Sequence, residues 1–149
     1  MQKIKTFFYI LFFLSLKIYS QVEYKFDNSS EFPIYNEKNP GMNYLKQSKA
    51  TEKEKSILFF GGFSEIDSVK VSNKEKILFN KNLWYSPQTG LSGVIIFDNN
   101  NNLKIEFFKE TKVKINLQSG DLKKYKHVYI TKKDEKYIVE FSNRLKFFG

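Results

Sequence analysis

No cysteine occurs among the 149 residues. That excludes a disulfide framework, a thiolate metal site, a cysteine nucleophile and a lipid-bearing cysteine behind a leader. A small domain without disulfides must be held by hydrophobic burial alone. Histidine occurs once, as His127, so no histidine pair exists to hold a metal, and no serine stands in a nucleophile-elbow context beside it. Arginine also occurs once, as Arg144, and lysine supplies the rest of the 25 basic residues. Nucleic-acid readers depend on the guanidinium fork for phosphate and guanine, so nucleic acid is disfavoured as a partner. Glycine is sparse, at 7 residues. Neither Gly61-Gly62 nor the Gly90 to Gly93 stretch precedes a helix or carries a Gly-Lys-Ser/Thr tail, so these glycines make bends and bulges and not a phosphate cradle.

What is present in quantity is aromatic: 16 Phe and 9 Tyr, which favour strands over helices. The length is that of one domain. The first twenty residues have the zones of a secretory signal: Lys3 and Lys5, then the apolar run Phe7 to Leu14, then Ser20 before Gln21. The run is far shorter than the roughly 20 residues that cross a bilayer. Residues 1–20 are therefore expected to be a removable signal peptide, leaving an exported protein, periplasmic or secreted, with no transmembrane anchor after cleavage. Loss of Lys3, Lys5 and Lys17 leaves 22 basic residues against 16 acidic, a net charge near +6 in place of +9. Lysine, asparagine, isoleucine and phenylalanine are abundant together, the signature of an AT-rich coding bias, which accounts for the excess charge without a polyanionic partner.

Residues 21–55 are polar and poorly periodic, with Pro33, Pro40-Gly41 and the mixed-charge run Lys49 to Lys55. They read as a partly ordered arm or linker, with one edge strand drawn from Tyr24, Phe26, Phe32, Ile34 and Tyr35 and a short helical turn at Tyr44-Leu45. From Ser56 to Gly149 short apolar or alternating runs are punctuated by turns. Ile57 to Phe60 is a continuous apolar run; Val69 and Val71 alternate with polar neighbours before a turn at Ser72 to Glu75, after which Ile77 and Phe79 share one parity. Asn80 to Gly93 reads as a long loop. Val94 to Phe97 suits a central strand covered on both sides. Asp98 to Asn102 reads as an Asx-rich hairpin turn into Leu103, Ile105 and Phe107, and Val113, Ile115 and Leu117 repeat the alternation. Val128 and Ile130 face Val139 and Phe141 across a hairpin of two or four residues. The fold class is all-β: one antiparallel β-sandwich of about 7 to 8 strands, Ig-like or jelly-roll-like.

Weak site signals remain. Trp84 and Tyr85 in the long loop suit stacking on a sugar ring or a partner's apolar surface, with Asn82, Ser86 and Gln88 as hydrogen-bonding neighbours. The opposing reading makes Trp84 a plug at the end of the core. Tyr129, by parity outward together with His127, would form an exposed aromatic-basic strip with Lys104, Glu106 and Lys114. Carboxylate pairs for hydrolysis, Glu65 with Asp67, Asp98 with Glu106 and Asp134 with Glu135, lie in turns or on outward parities, where solvated charge is expected. The Asp98 to Asn102 loop has hard oxygen donors but one carboxylate, too little charge for a good Ca²⁺ site, and Asn28-Ser29-Ser30 fits a glycosylation acceptor by a pattern that chance supplies easily. No catalytic residue, metal site or cofactor is implied. The expectation is a non-enzymatic binding or interaction module for a glycan or a protein. The alternatives are a structural or assembly subunit of a cell-envelope complex, suggested by the aromatic tail Leu145 to Gly149, and a small carboxylate-dependent hydrolase.

Overall fold

The structure is a computed structural model and describes residues 21–28, 40–63, 67–108, 113–134 and 136–146. The expected signal segment lies outside these residues, as do Phe32, Ile34 and Tyr35 of the arm and the tail's last three residues.

Among the described residues nine strands and two short helices follow one another as β1 (Val22–Phe26), α1 (Pro40–Gln47), β2 (Lys55–Gly61), β3 (Asp67–Ser72), β4 (Ile77–Leu83), β5 (Leu91–Asp98), β6 (Leu103–Phe107), β7 (Lys114–Leu117), α2 (Ser119–Leu122), β8 (His127–Lys133) and β9 (Lys136–Ser142). They form two sheets, one of five strands in the order β1-β9-β8-β2-β5 and one of four in the order β4-β3-β6-β7. The alternation read from sequence is what builds them. β3 buries Asp67, Val69 and Val71 and turns the residues between them outward, while Leu103, Ile105 and Phe107 of β6 and Ile115 and Leu117 of β7 are buried in the same rhythm. Inward residues of both sheets, among them Leu58, Phe60, Val71, Ile105, Ile130 and Val139, join in a single core cluster.

Three expectations need correction. The four-stranded sheet is antiparallel throughout, but the five-stranded sheet is mixed, because β2 runs parallel to β8 and β1 runs parallel to β9. The apolar pattern of a strand fixes its face and not the direction of its neighbour, and β8, buried on both faces, suits a parallel position inside a sheet. Val94 to Phe97 is not central: β5 is the last strand of its sheet, and Val94 and Ile96 stand exposed. Asp98 to Asn102 is not a hairpin turn, since β5 pairs with β2 while β6 pairs with β3 and β7, so this turn carries the chain from one sheet to the other. The turn at Ser72 to Glu75 does close a hairpin, with Asn73 Oδ1 accepting the N–H groups of Glu75 and Lys76 at 3.0 Å each. At the last hairpin Val128 faces Phe141 and Ile130 faces Val139, with Lys133 paired to Lys136 across a two-residue turn.

The outer face of the five-stranded sheet is covered in part. Leu45 and Ala50 of the α1 region meet Ile57 and Phe59 of β2 and Tyr129 of β8 in a second cluster, with Tyr44, Leu91 and Leu145 at its margin. The helix ends as a Schellman motif. Ala50 N–H reaches the Leu45 carbonyl at 2.9 Å, Lys49 N–H reaches that of Lys46 at 3.1 Å, and Lys49 takes the left-handed position with φ of 54°. That turn points Leu45 and Ala50 at the sheet, so the polar lead-in supplies a small apolar cap.

A buried polar hub ties this cap to the end of the sheet. Ser56 Oγ donates to the Tyr125 carbonyl at 3.1 Å, Asn99 Nδ2 donates to the Lys53 carbonyl at 2.9 Å and to Ser56 Oγ at 3.0 Å, and Asn143 Oδ1 accepts Lys126 N–H at 2.8 Å. The Lys126 ammonium, buried, donates to the carbonyls of Glu52 and Lys55, each at 2.6 Å. Burial draws its pKa down to about 8 against the opposing pull of Glu54 and Glu52. Between pH 8 and 10.5 the unfolded chain then holds the proton that the folded chain has released, so this residue's contribution makes stability rise with pH across that window. Denaturant midpoints at pH 8 and pH 10 should show a more positive change for the wild type than for Lys126→Met, and equal slopes would remove Lys126 from the account.

Candidate binding surface

The long loop is shorter than its sequence suggested. β4 continues to Leu83 and β5 begins at Leu91, leaving residues 84–90 as the connection between the sheets. Trp84 N–H donates to the Ser92 carbonyl at 3.3 Å and Ser86 N–H to that of Leu91 at 2.8 Å, while Gly90 N–H bonds the Ser86 carbonyl at 2.8 Å. The loop is thus folded on its own backbone, with Gly90 at a φ of 66°. Close approach of the two sheets at this corner depends on Gly93, where an added Cβ would stand 3.1 Å from Leu83 Cδ2. Trp84 does not plug the core. It is 65% exposed and Tyr85 is 50% exposed.

Beside this loop a groove of about 390 Å³ opens on the covered face of the five-stranded sheet. Phe59 lines it together with Leu91 of β5, Tyr44 of α1, Leu145 and Lys146 of the C-terminal segment, and Gln88 and Thr89 of the loop. Phe59 is held in place by Tyr129, whose ring stacks on it at 4.9 Å between centroids and 11° between planes. Tyr129 is fixed in turn: its hydroxyl donates to the Arg144 carbonyl at 3.0 Å and accepts Lys146 N–H at 2.9 Å. Lys146 pairs with Glu140.

Of the sequence-selected residues, the structure brings Gln88 to the groove and places Tyr129 beneath Phe59. Trp84 and Tyr85 project from the same loop into solvent, and Asn82 sits on β4 with its Oδ1 accepting the Ser68 hydroxyl at 2.6 Å. Tyr129 is not an exposed contact and no strip with Lys104, Glu106 and Lys114 forms. Those three belong to the other sheet, where Lys104 and Lys114 lie 2.9 and 3.9 Å from Glu106, and the Lys104 hydrogen bond holds the Glu106 carboxyl below the usual carboxylate range. His127 is likewise buried, not on the surface. Its parity is the outward one, opposite Val128 and Ile130, but the cap from α1 and the chain after β9 covers that side.

Compared with known proteins, the chain matches no family model and no curated protein.

Among the described residues the carboxylates do not converge. Asp67 is buried and accepts the Tyr137 hydroxyl at 3.4 Å, and Asp98 Oδ1 accepts Asn100 N–H at 2.9 Å as an Asx turn. Asp134 is exposed at a φ of 55°; Glu65 and Glu135 lie outside the described residues. Among the described residues no three His, Asp or Glu side chains gather as a metal site. A second groove, of about 330 Å³, opens between the edges of β1 and β7 and is lined by Tyr24, Phe26 and Phe141 with Asp121 as its one carboxylate. The grooves escaped sequence reading because their walls come from segments as far apart as Tyr44, Leu91 and Lys146, and no local pattern joins them.

Proposed function

We propose that this chain is an exported, non-enzymatic β-sandwich that binds a glycan through Trp84 and Tyr85, with the adjoining Phe59 groove as the second half of the contact. The observation that carries the reading is the exposure of both rings on a loop whose backbone is already satisfied, so their apolar faces are open to a planar or puckered partner. The groove has the volume of an ordinary small-ligand site and is mostly apolar, with Gln88 and Thr89 as polar groups at its margin. Export draws its support from the basic, apolar and small-residue zones of residues 1–20, and from the start of β1 at Val22, just past the expected cleavage point. A protein surface is the other occupant the two rings suit. The hydrolase alternative required two carboxylates in one concavity, and neither groove offers them among its described residues. The assembly alternative leaned on the aromatic tail, of which Leu145 is packed against the outer-face cluster.

Trp84 is the single tryptophan, so its fluorescence reports this loop alone. Red-shifted emission is expected for the free protein, with saturable quenching or a blue shift on titration with one member of a panel of neutral and acidic glycans, and with the response lost in Tyr85→Ala. Emission unmoved by every glycan would sink the glycan reading and turn the search to protein partners.

A further inference from the structure

Residues 84–90 join β4 to β5 along one side of the sandwich, where those two strands meet. On the other side β1 and β7 end their sheets, and the groove of about 330 Å³ opens between them. Neighbours in parallel register point to the same face, so Tyr24 shares the side of Val139 and Phe26 that of Phe141, both core residues. The two rings of β1 are thus aimed to the core side of their sheet, yet each is 45% exposed where the four-stranded sheet stops at β7.

Phe26 is stacked on Phe141 at 4.9 Å between centroids and 7° between planes and stands 6.0 Å from Tyr125, so the core behind it holds this aromatic wall in place. Tyr24 follows two positions away, about 7 Å along the strand. The opposite wall is polar. Asn116 of β7 and Gln118 are exposed, and Asp121 of α2 joins them. Asp121 Oδ1 takes the Lys124 ammonium at 3.4 Å, and of the chain's 25 basic residues none lines this groove among those described. Both walls also offer backbone groups. Asp27 N–H donates to the Phe141 carbonyl and Tyr137 N–H to that of Gln21, each at 2.8 Å, so the odd-numbered residues of β1 turn their backbone to β9 and Tyr24 turns its own outward. Phe107 N–H donates to the Val113 carbonyl at 3.0 Å; by alternation Lys104 and Asn116 are a non-hydrogen-bonded pair, and the N–H and C=O of Asn116 face away from β6.

We propose that this seam binds a neutral saccharide, as a second site in which the Trp84 loop takes no part. The chemistry of the lining selects that class. A sugar ring lays its C–H face on Tyr24 and Phe26 and turns its hydroxyls, each both donor and acceptor, to the amides of Asn116 and Gln118, to Asp121 and to the open backbone of both edges. An anion would meet a carboxylate and no lining cation, and a cation would find that carboxylate already paired. A purely apolar ligand would strip water from three polar side chains without replacing its hydrogen bonds. The volume lies at the low end of small-ligand sites, which suits a short saccharide.

Calorimetric titration with maltotriose, cellotriose and triacetylchitotriose tests the site in the wild type, Trp84→Ala and Tyr24→Ala. One of the three should bind Trp84→Ala as tightly as the wild type and Tyr24→Ala about tenfold more weakly. Tyr24→Phe, which keeps the ring, should restore the affinity, and Gln118→Ala on the opposite wall should lower it. Trigalacturonate, of similar size but anionic, should not bind Trp84→Ala. If none of the neutral trisaccharides binds Trp84→Ala, or if Tyr24→Ala keeps its thermal transition and binds as the wild type does, the seam is not a sugar site. Should Tyr24→Ala lose its fold, an affinity unchanged in Gln118→Ala overturns the proposal in its place. Binding lost in Trp84→Ala and kept in Tyr24→Ala upholds the loop alone and overturns the seam, while failure of the loop is read separately from the Trp84 fluorescence.

Discussion

Phe107→Ala should lower the free energy of unfolding by about 3–5 kcal/mol. Phe107 is buried at the end of β6, and its ring is where the two sheets are pinned together. It meets Phe60 of β2 edge-on at 6.1 Å, Phe63 in a stack at 5.8 Å and Tyr137 of β9 at 4.4 Å. Truncation removes the buried ring and leaves a cavity that three aromatic neighbours, one of them tied by its hydroxyl to Asp67, are poorly placed to fill. Against a total stability that for a domain of this size is about 5–15 kcal/mol, that loss is large. Phe108→Ala is the control, since the next ring along is half exposed and should cost less than about 0.5 kcal/mol. Denaturant titration checks both: the midpoint should fall sharply for Phe107→Ala with an unchanged slope, and hardly move for Phe108→Ala. Similar midpoints for the two variants would mean that the inter-sheet contact is not where the stability lies.

The strands were legible because each needs only a period of two in its own residues, as β3, β6 and β7 show. Facing was legible too, since Val128, Ile130, Val139 and Phe141 all turn inward as their parity requires, but the register of Val128 with Phe141 was set by the turn and not by the pattern. Exposure was not. Tyr129 and His127 have the outward parity, but whether an outward side chain meets water depends on what crosses it, and here Leu45, Ala50 and Leu145 come from positions remote in the chain. The same separation hid the parallel pairing of β2 with β8, since direction is set by how the chain returns after α2. The edge position of β5 was read as central because Val94 and Ile96 are as apolar as the inward Ile95 and Phe97. That misreading has one physical source: an edge strand composed like an interior one. Trp84 was legible as a choice between plug and contact, and the structure leaves its ring exposed.

Acid should weaken this fold chiefly through His127. The imidazole is buried, its Nδ1 has no hydrogen-bond partner, and burial pushes its pKa down to about 4, helped by the Lys126 charge and opposed by a bond to the Ser142 backbone. In the unfolded chain the same group titrates near 6.5. Between those values the unfolded chain holds more protons than the folded one, so stability is fully present above pH 6.5 and is lost as pH falls through about 4. At about 1.4 kcal/mol per pKa unit the loss from this residue is about 3 kcal/mol. His127→Leu keeps an apolar body beside Phe59 and Tyr129 and cannot take up the proton. Its stability at pH 7 should fall modestly through loss of the Ser142 bond, while its decline between pH 6.5 and pH 4 should be much shallower than that of the wild type. Carboxylates such as Glu106, held below their ordinary range, act lower in pH and are common to both proteins, so the difference between the two curves isolates the histidine. Parallel curves from chemical denaturation at pH 7, 6, 5 and 4 would mean that His127 titrates near its ordinary value, and with that the cap over the outer face would be open to water.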